Sequence, residues 1–89
     1  MRLTRRYLVR GRVQGVGFRY FTQAAAERAG VGGWVRNNAD GTVEIAACGD
    51  LAALGMLEAD IHRGPPGARV DHVAVSDAPA EARSDFVIR

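Results

Sequence analysis

The chain has 89 residues, 47% of them hydrophobic, and this length fits one domain, predicted to span residues 1–89. Its single cysteine, Cys48, excludes an intrachain disulfide, so we expect a cytoplasmic protein rather than a small secreted one. No segment approaches the roughly 18 apolar residues of a membrane span. The formal net charge is only +2, but all twelve basic residues are arginine. Lysine-based chemistry is therefore excluded, and an anion site must use arginine.

The first part of the chain predicts a strand followed by a helix. Residues 4–13, "TRRYLVRGRV", alternate with a period of two, as in a half-buried strand with Tyr7, Val9 and Val13 facing inward. From Phe18 the apolar spacing becomes helical, and Gly30 suits the C-terminal cap of that helix.

The middle of the chain predicts a hairpin and a second helix. Strands are indicated at 31–37 and 42–48, joined by "NADG", because a tight turn at Asp-Gly needs positive φ. Asp50 suits the N-cap of a helix over 51–63. One side of this helix is predicted to carry Leu51, Leu54, Leu57 or Glu58, and Ile61.

The run "GPPG" ends the second helix, and two strands follow it. Residues 69–77 predict a strand with Val73 and Val75 inward, and "DFVIR" at the C-terminus predicts a short final strand. The order β-α-β-β-α-β predicts an α+β, ferredoxin-like sandwich. We expect an antiparallel sheet with two helices on one face and a short fifth strand at the C-terminus.

The glycine-rich stretch "GRVQGVGFRYF", residues 11–21, fails two phosphate-binding fingerprints. A dinucleotide motif would need glycine where Tyr20 stands, and a P-loop would need lysine. An RNA-recognition motif shares the element order and a similar aromatic signature, but its aromatic residues lie on a strand. Here the stretch ends a strand and opens a helix, so Phe18 and Phe21 are expected to face the core.

The junction between this strand and helix has the geometry of an anion site. Gly15 and Gly17 permit backbone conformations closed to other residues, and backbone N–H groups at a helix N-terminus bind anions. Arg19 lies in the first turn of the helix, where a positive charge is unfavourable for the dipole unless an anion is shared.

Two long motifs give the chain a resemblance to a known family. "GRVQGVGFR" at 11–19 and "GWVRNNADGTV" at 33–43 resemble the acylphosphatases, as do "GPPGARV" at 64–70 and the final "FVI". The similarity covers nearly the whole chain and shows no departure within the two motifs. A chain that begins at Met1 and closes with its own strand is expected to be complete.

The resemblance implies a hydrolase that cleaves acyl phosphates into a carboxylate and inorganic phosphate. It implies two catalytic residues, Arg19, which binds phosphate, and Asn37, which positions the attacking water; Asn38 beside it is not favoured by the family pattern. It further implies that the phosphate is bound by the backbone amides of Gln14, Gly15, Val16, Gly17, Phe18 and Arg19.

We expect the reaction to need no metal ion or cofactor. We also expect the protein to bind neither nucleic acid nor a membrane, and to be a monomer. An alternative is a noncatalytic anion- or RNA-binding module on the same scaffold. Trp34, Cys48, His62 and His72 are interpreted as packing or surface residues, since they form no zinc-like spacing and no nucleophile–histidine pair in sequence. Nothing in the sequence selects among acetyl, carbamoyl, aspartyl and glyceroyl phosphates.

Overall fold

The computed structural model describes residues 2–79 and 83–89, so Met1 and residues 80–82 of the predicted domain lie outside the described residues. The elements follow the predicted order, with the short additional strand at the end. The strands are β1 (Leu3–Arg12), β2 (Gly32–Asn37), β3 (Val43–Gly49), β4 (Arg69–Asp77) and β5 (Phe86–Ile88). The helices are α1 (Phe18–Ala29) and α2 (Leu51–Arg63).

The strands form one sheet in the order β4-β1-β3-β2-β5. The β1/β3, β1/β4 and β2/β3 pairs are antiparallel, whereas β5 runs parallel to β2. The predicted ferredoxin-like architecture is confirmed, and the short fifth strand makes the sheet mixed. The antiparallel pairing expected for the sheet does not hold for β5, and a strand of three residues carries no sequence signal for its direction.

Both helices begin and end where the sequence predicted. Gly17 and Gly30 flank α1 in the left-handed region, with φ of 77° and 75°, and the Gly30 N–H donates to the carbonyl of Glu27 at 3.3 Å. Asp50 caps α2, because its Oδ1 accepts a hydrogen bond of 2.8 Å from the Ala53 N–H. The N-terminus of α1 differs from that of α2 in having no side-chain cap.

The core lies between the sheet and the two helices, which contact each other. Each large aliphatic side chain buried there contributes about 1.5–3 kcal/mol. The fully buried large side chains include Tyr7, Val9, Phe18, Val35, Ile45, Leu54, Leu57 and Ile61.

Two residues predicted to face the core are largely exposed. Leu51 is 60% exposed because it opens α2, one turn before the first buried position of that helix. Val75 is 46% exposed although it pairs with the buried Tyr7. It lies on the edge strand β4, which has few contacts with the helices.

Trp34 packs on the sheet face opposite the helices. It pairs with Ala46 in β3 and is only 3% exposed. The guanidinium groups of Arg89, Arg36 and Arg6 lie 4.4, 5.0 and 5.5 Å from its ring centroid and cover it by cation–π contact. The packing interpretation of Trp34 is therefore supported.

Gly55 lies in the interior of α2, where glycine is less favourable than alanine. A Cβ at this position would meet no atom within 4 Å. We expect Gly55→Ala to raise the free energy of unfolding by about 0.5–1 kcal/mol, because alanine favours the helix and restricts the unfolded chain. Thermal unfolding should show a higher Tm.

Gly30→Ala is the matched control, since a Cβ there also has free space but φ is 75°. The left-handed conformation costs a non-glycine residue about 1–2 kcal/mol, so its Tm should fall. If the two variants shifted Tm in the same direction, backbone conformation would not be what separates these glycines.

Candidate functional site

The strand register brings two distant segments of the chain to the same end of the sheet. Asn37, the last residue of β2, pairs with Val43 at the start of β3. Val43 in turn pairs with Val9 of β1, and β1 continues toward the glycine-rich loop. The loop that starts α1 and the end of β2 therefore lie side by side, although about twenty residues separate them in sequence.

A cavity of about 130 Å³ lies between these two segments. It brings together both predicted catalytic side chains, Arg19 and Asn37, and three of the loop residues predicted to bind phosphate. The residues that line it are Val13, Gly15, Gly17, Phe18, Arg19, Tyr20 and Asn37.

The loop presents unpaired backbone donors beside this cavity. Gly15 and Gly17 have φ of 74° and 77°, so the chain turns sharply before α1 begins. Within the described residues, no backbone amide from 14 to 20 donates a hydrogen bond to the protein. No acidic residue lies in the first turn of α1. Amides of this kind carry the positive end of the helix dipole and suit an anion.

Arg19 is half-buried and has no hydrogen-bond or ion-pair partner among the described residues. Most other arginines of the described chain form ion pairs with carboxylates or donate hydrogen bonds to carbonyls. These include Arg2, Arg5, Arg6, Arg28, Arg36, Arg63, Arg69 and Arg83. An arginine that lines this cavity without a partner in the described chain is suited to bind a phosphate with two parallel hydrogen bonds.

Asn37 differs sharply from its neighbour Asn38. Its Oδ1 atom is buried and has no hydrogen-bond partner within the described part of the chain, an arrangement that costs about 1–3 kcal/mol. The Asn38 side chain instead donates to Thr42 Oγ1 at 3.0 Å and to Glu44 Oε1 at 3.2 Å. Asn37 lines the cavity, and Asn38 does not.

Asn38 belongs to a closely bonded turn between β2 and β3. Its N–H donates to the Thr42 carbonyl at 2.9 Å, and its own carbonyl accepts from the Gly41 N–H at 3.2 Å. The Asp40 carboxylate accepts from Thr42 Oγ1 at 2.6 Å and from the Thr42 N–H at 3.0 Å. These bonds, led by that from the Thr42 hydroxyl, hold the pKa of Asp40 below its usual range.

Glu44 is the other acidic group of this turn region. Burial acts to raise the pKa of its carboxyl, but hydrogen bonds from Arg36 and Asn38 outweigh burial, so the pKa lies below its usual value. Glu44 stays ionised on the sheet face that carries Trp34 and does not line the cavity.

The structure adds two lining residues that the sequence motifs did not indicate as part of the site. Val13 is the last inward residue of the strand alternation, and Tyr20 is a 69% exposed aromatic in the first turn of α1. The strand period could have suggested Val13, whereas the sequence holds no signal for Tyr20. Gln14 and Val16, predicted to contribute backbone amides, do not line the cavity, and Val16 packs partly against the core.

The remaining chemically active side chains lie away from the cavity. Cys48 is a buried free thiol, and His62 and His72 are exposed. Among the described residues, no group of three or more His, Cys, Asp and Glu side chains could hold a metal ion. Neither helix of the described chain is long and apolar enough to span a membrane.

Comparison with known proteins connects this site to one family. The acylphosphatase family model matches residues 5–88. An acylphosphatase of Koribacter versatilis is 55% identical over 78 residues, which cover 88% of this chain and 71% of the relative. One of Nitrobacter hamburgensis is 48% identical over 87 residues, 98% of this chain and 86% of the relative. The chain belongs to the acylphosphatase family.

Solved structures show the same relationship. The crystal structure of an acylphosphatase from Bacillus subtilis is 41% identical, with a TM-score of 0.95 over 98% of both chains. Full-length HypF, crystallised in a phosphate- and nucleotide-bound form, has a TM-score of 0.93 and 29% identity. This chain covers 12% of HypF, so the same fold also occurs as a small part of a longer protein.

The depressed pKa of Asp40 predicts how the turn responds to acid. Because the folded-state pKa lies below the ordinary value of 3.8, the stabilisation is present above that value and is lost as the pH falls through the folded pKa. We expect Asp40→Ala to lower Tm at neutral pH, since Thr42 loses its acceptor. The difference in Tm between the wild type and Asp40→Ala should become smaller as the pH falls below 3.8.

Thermal unfolding of both proteins, from about pH 7 to about pH 2.5, measures this gap, and the other acidic groups cancel in the difference. A gap of the same size throughout that range would show that the ionised Asp40 carboxylate does not stabilise the turn.

Proposed function

We propose that the chain hydrolyses acyl phosphates by direct attack of water on phosphorus, without a metal ion. The observation that carries the mechanism is that Asn37, Arg19 and the glycine-rich loop line one cavity. Within the described chain, Asn37 Oδ1, the Arg19 side chain and the loop amides have no hydrogen-bond partner. The family supports the acyl phosphate substrate. The arrangement offers one group of donors for phosphate and one acceptor for water.

Phosphate is bound by the backbone amides of residues 14–19 and by Arg19. These donors stabilise the negative charge that develops on the phosphoryl oxygens. Such electrostatic stabilisation by donors held in place before the reaction is usually the largest contribution to the rate. Removing one donor of this kind costs about 3–4 kcal/mol, on the order of a hundred- to thousand-fold in rate.

Asn37 orients the nucleophile. A water molecule donating to its Oδ1 is held beside the phosphate with its lone pair directed at phosphorus. Holding reactants in this way reduces the entropy that the reaction must lose, provided that the attacking and accepting atoms are about 3–3.5 Å apart.

The leaving group explains why so few residues suffice. Bond formation between water oxygen and phosphorus is accompanied by cleavage of the bond from phosphorus to the acyl oxygen, and the electron pair leaves with the carboxylate. The conjugate acid of that group has a pKa of roughly 4, so it departs without a proton. The proton of the attacking water passes to a phosphoryl oxygen of the substrate, and the products are a carboxylate and inorganic phosphate.

The noncatalytic RNA-binding alternative is not favoured by the comparisons. The aromatic arrangement also argues against it, because base stacking needs exposed rings on the sheet. Trp34 lies on the open sheet face but is 3% exposed beneath three arginines, and Phe18 is 2% exposed in the core.

Several further features belong to the proposal. We expect a single-domain monomer in the cytoplasm that requires no cofactor and binds neither nucleic acid nor membrane. Inorganic phosphate should compete with the substrate, since product and substrate share the loop and Arg19.

Acetyl phosphate hydrolysis in the presence of EDTA tests this function. The control substrate is p-nitrophenyl phosphate, because nitrophenolate is a poorer leaving group than a carboxylate. We expect turnover of acetyl phosphate alone. Arg19→Met should lower kcat/KM by about a hundred- to thousand-fold or more, because a charge and two donors are lost together. Asn37→Ala should lower kcat while phosphate inhibition is mostly retained.

Arg28→Met is the matched control, since Arg28 is an exposed arginine of the same helix that pairs with Asp60. It should keep wild-type turnover. Wild-type turnover in Arg19→Met, or a raised KM with unchanged kcat in Asn37→Ala, would contradict the assigned roles. Loss of all activity in EDTA, restored by a divalent cation, would contradict the metal-free mechanism.

A further inference from the structure

The side chain of Gln14 joins the two segments that form the cavity. Its Nε2 donates to the Asn38 carbonyl at 2.8 Å and to the Thr42 carbonyl at 3.0 Å. A glutamine amide has two N–H donors, and both are therefore used by backbone acceptors on the turn that follows Asn37. These are the side-chain hydrogen bonds that link the glycine-rich loop to the turn within the described residues.

The two carbonyls belong to a turn that is held by several hydrogen bonds of its own. Each also accepts a backbone hydrogen bond that closes the turn, from Gly41 to Asn38 and from Asn38 to Thr42. The Thr42 side chain is 3% exposed and is fixed by Asp40. Because the turn is held by its own hydrogen bonds, the two bonds from Gln14 hold the loop in place relative to the turn.

We propose that Gln14 is a positioning residue that sets the distance between the phosphate-binding loop and Asn37. This inference rests on the proposed function, in which the loop holds phosphorus and Asn37 holds the attacking water. The position of Gln14, directly before Gly15, makes its side chain the connection between the two halves of the reaction. A displacement of about 1 Å between reacting groups can lower the rate about 100-fold.

A positioning role makes a different prediction from a purely structural one. Gln14→Met keeps the length and volume of the side chain but removes both donors. We expect kcat for acetyl phosphate to fall about 100-fold. The inhibition constant for inorganic phosphate should stay within about threefold, because the loop and Arg19 are unchanged.

Gln23 provides the matched control. It is a glutamine of α1 whose Nε2 also donates to a backbone carbonyl, that of Phe86 at 3.2 Å, and it does not line the cavity. Gln23→Met should keep the wild-type kcat. A wild-type kcat in Gln14→Met, or an equal loss of kcat and phosphate binding, would overturn the positioning role.

A double-mutant cycle between Gln14→Met and Asn37→Ala identifies the residue through which Gln14 acts. If Gln14 works by placing Asn37, its substitution should lower kcat by less than about threefold once Asn37 is alanine. Full additivity of the two losses would overturn the proposal. Failure of the proposed function is seen separately, as wild-type kcat in the Asn37→Ala single variant.

Gln14→Glu keeps the proposal testable if Gln14→Met does not fold. An ionised carboxylate cannot donate and faces two carbonyl oxygens, whereas the protonated acid regains one donor. Relative to the wild type at each pH, kcat of Gln14→Glu should be lowest near about pH 7.5 and rise toward about pH 5. A kcat for Gln14→Glu equal to that of the wild type near about pH 7.5 would overturn the positioning role.

Discussion

The turn at Gly15 and Gly17 is the constraint on which the candidate site depends. Both residues adopt positive φ, and the second is the N-cap of α1 without a side-chain cap. A serine or aspartate at that position would satisfy an amide of the first turn and remove it from use. With glycine there, the amides of the turn have no partner among the described residues, and the turn lies beside a cavity where the helix dipole favours an anion.

The sheet register supplies the second half of the site. The end of β2 lies beside the loop because β3 pairs with both β1 and β2 at that end of the sheet. The proposed division of tasks uses this geometry: in that proposal the loop and Arg19 bind the phosphate, and Asn37 orients the attacking water. Both sets of groups are unpaired within the described protein, so neither must break an internal bond to bind its ligand.

The sequence predicted most of the fold because its signals were local. The period-two alternation gave β1, the Asp-Gly turn gave the hairpin, and Asp50 and Gly30 marked helix ends that the structure has at those positions. The exposure of Val75 was missed because it depends on how little of the edge strand α2 covers, a tertiary property. The parallel direction of β5 was likewise beyond local signals.

The candidate site was predictable to the extent that a motif carried it. Arg19 and Asn37 lie within the two stretches that resemble the family, and the structure brings both to one cavity. The two bonds of Gln14 could not be predicted, since they join residues 24 and 28 positions away in sequence. The physical reason for preferring Asn37 to Asn38 came only with the structure, in which Asn37 lines the cavity and Asn38 does not. Oδ1 of Asn37 has no partner among the described residues, and the Asn38 side chain donates to Thr42 and Glu44.

Titration of the isotope-labelled protein with inorganic phosphate, followed by its backbone amide resonances, tests the phosphate loop most directly. The amides of residues 14–19 should shift together, with one common Kd, and those near the arginines around Trp34 should not move. Saturable binding that shifts amides elsewhere and leaves residues 14–19 unchanged would contradict the assignment of this loop as the phosphate site.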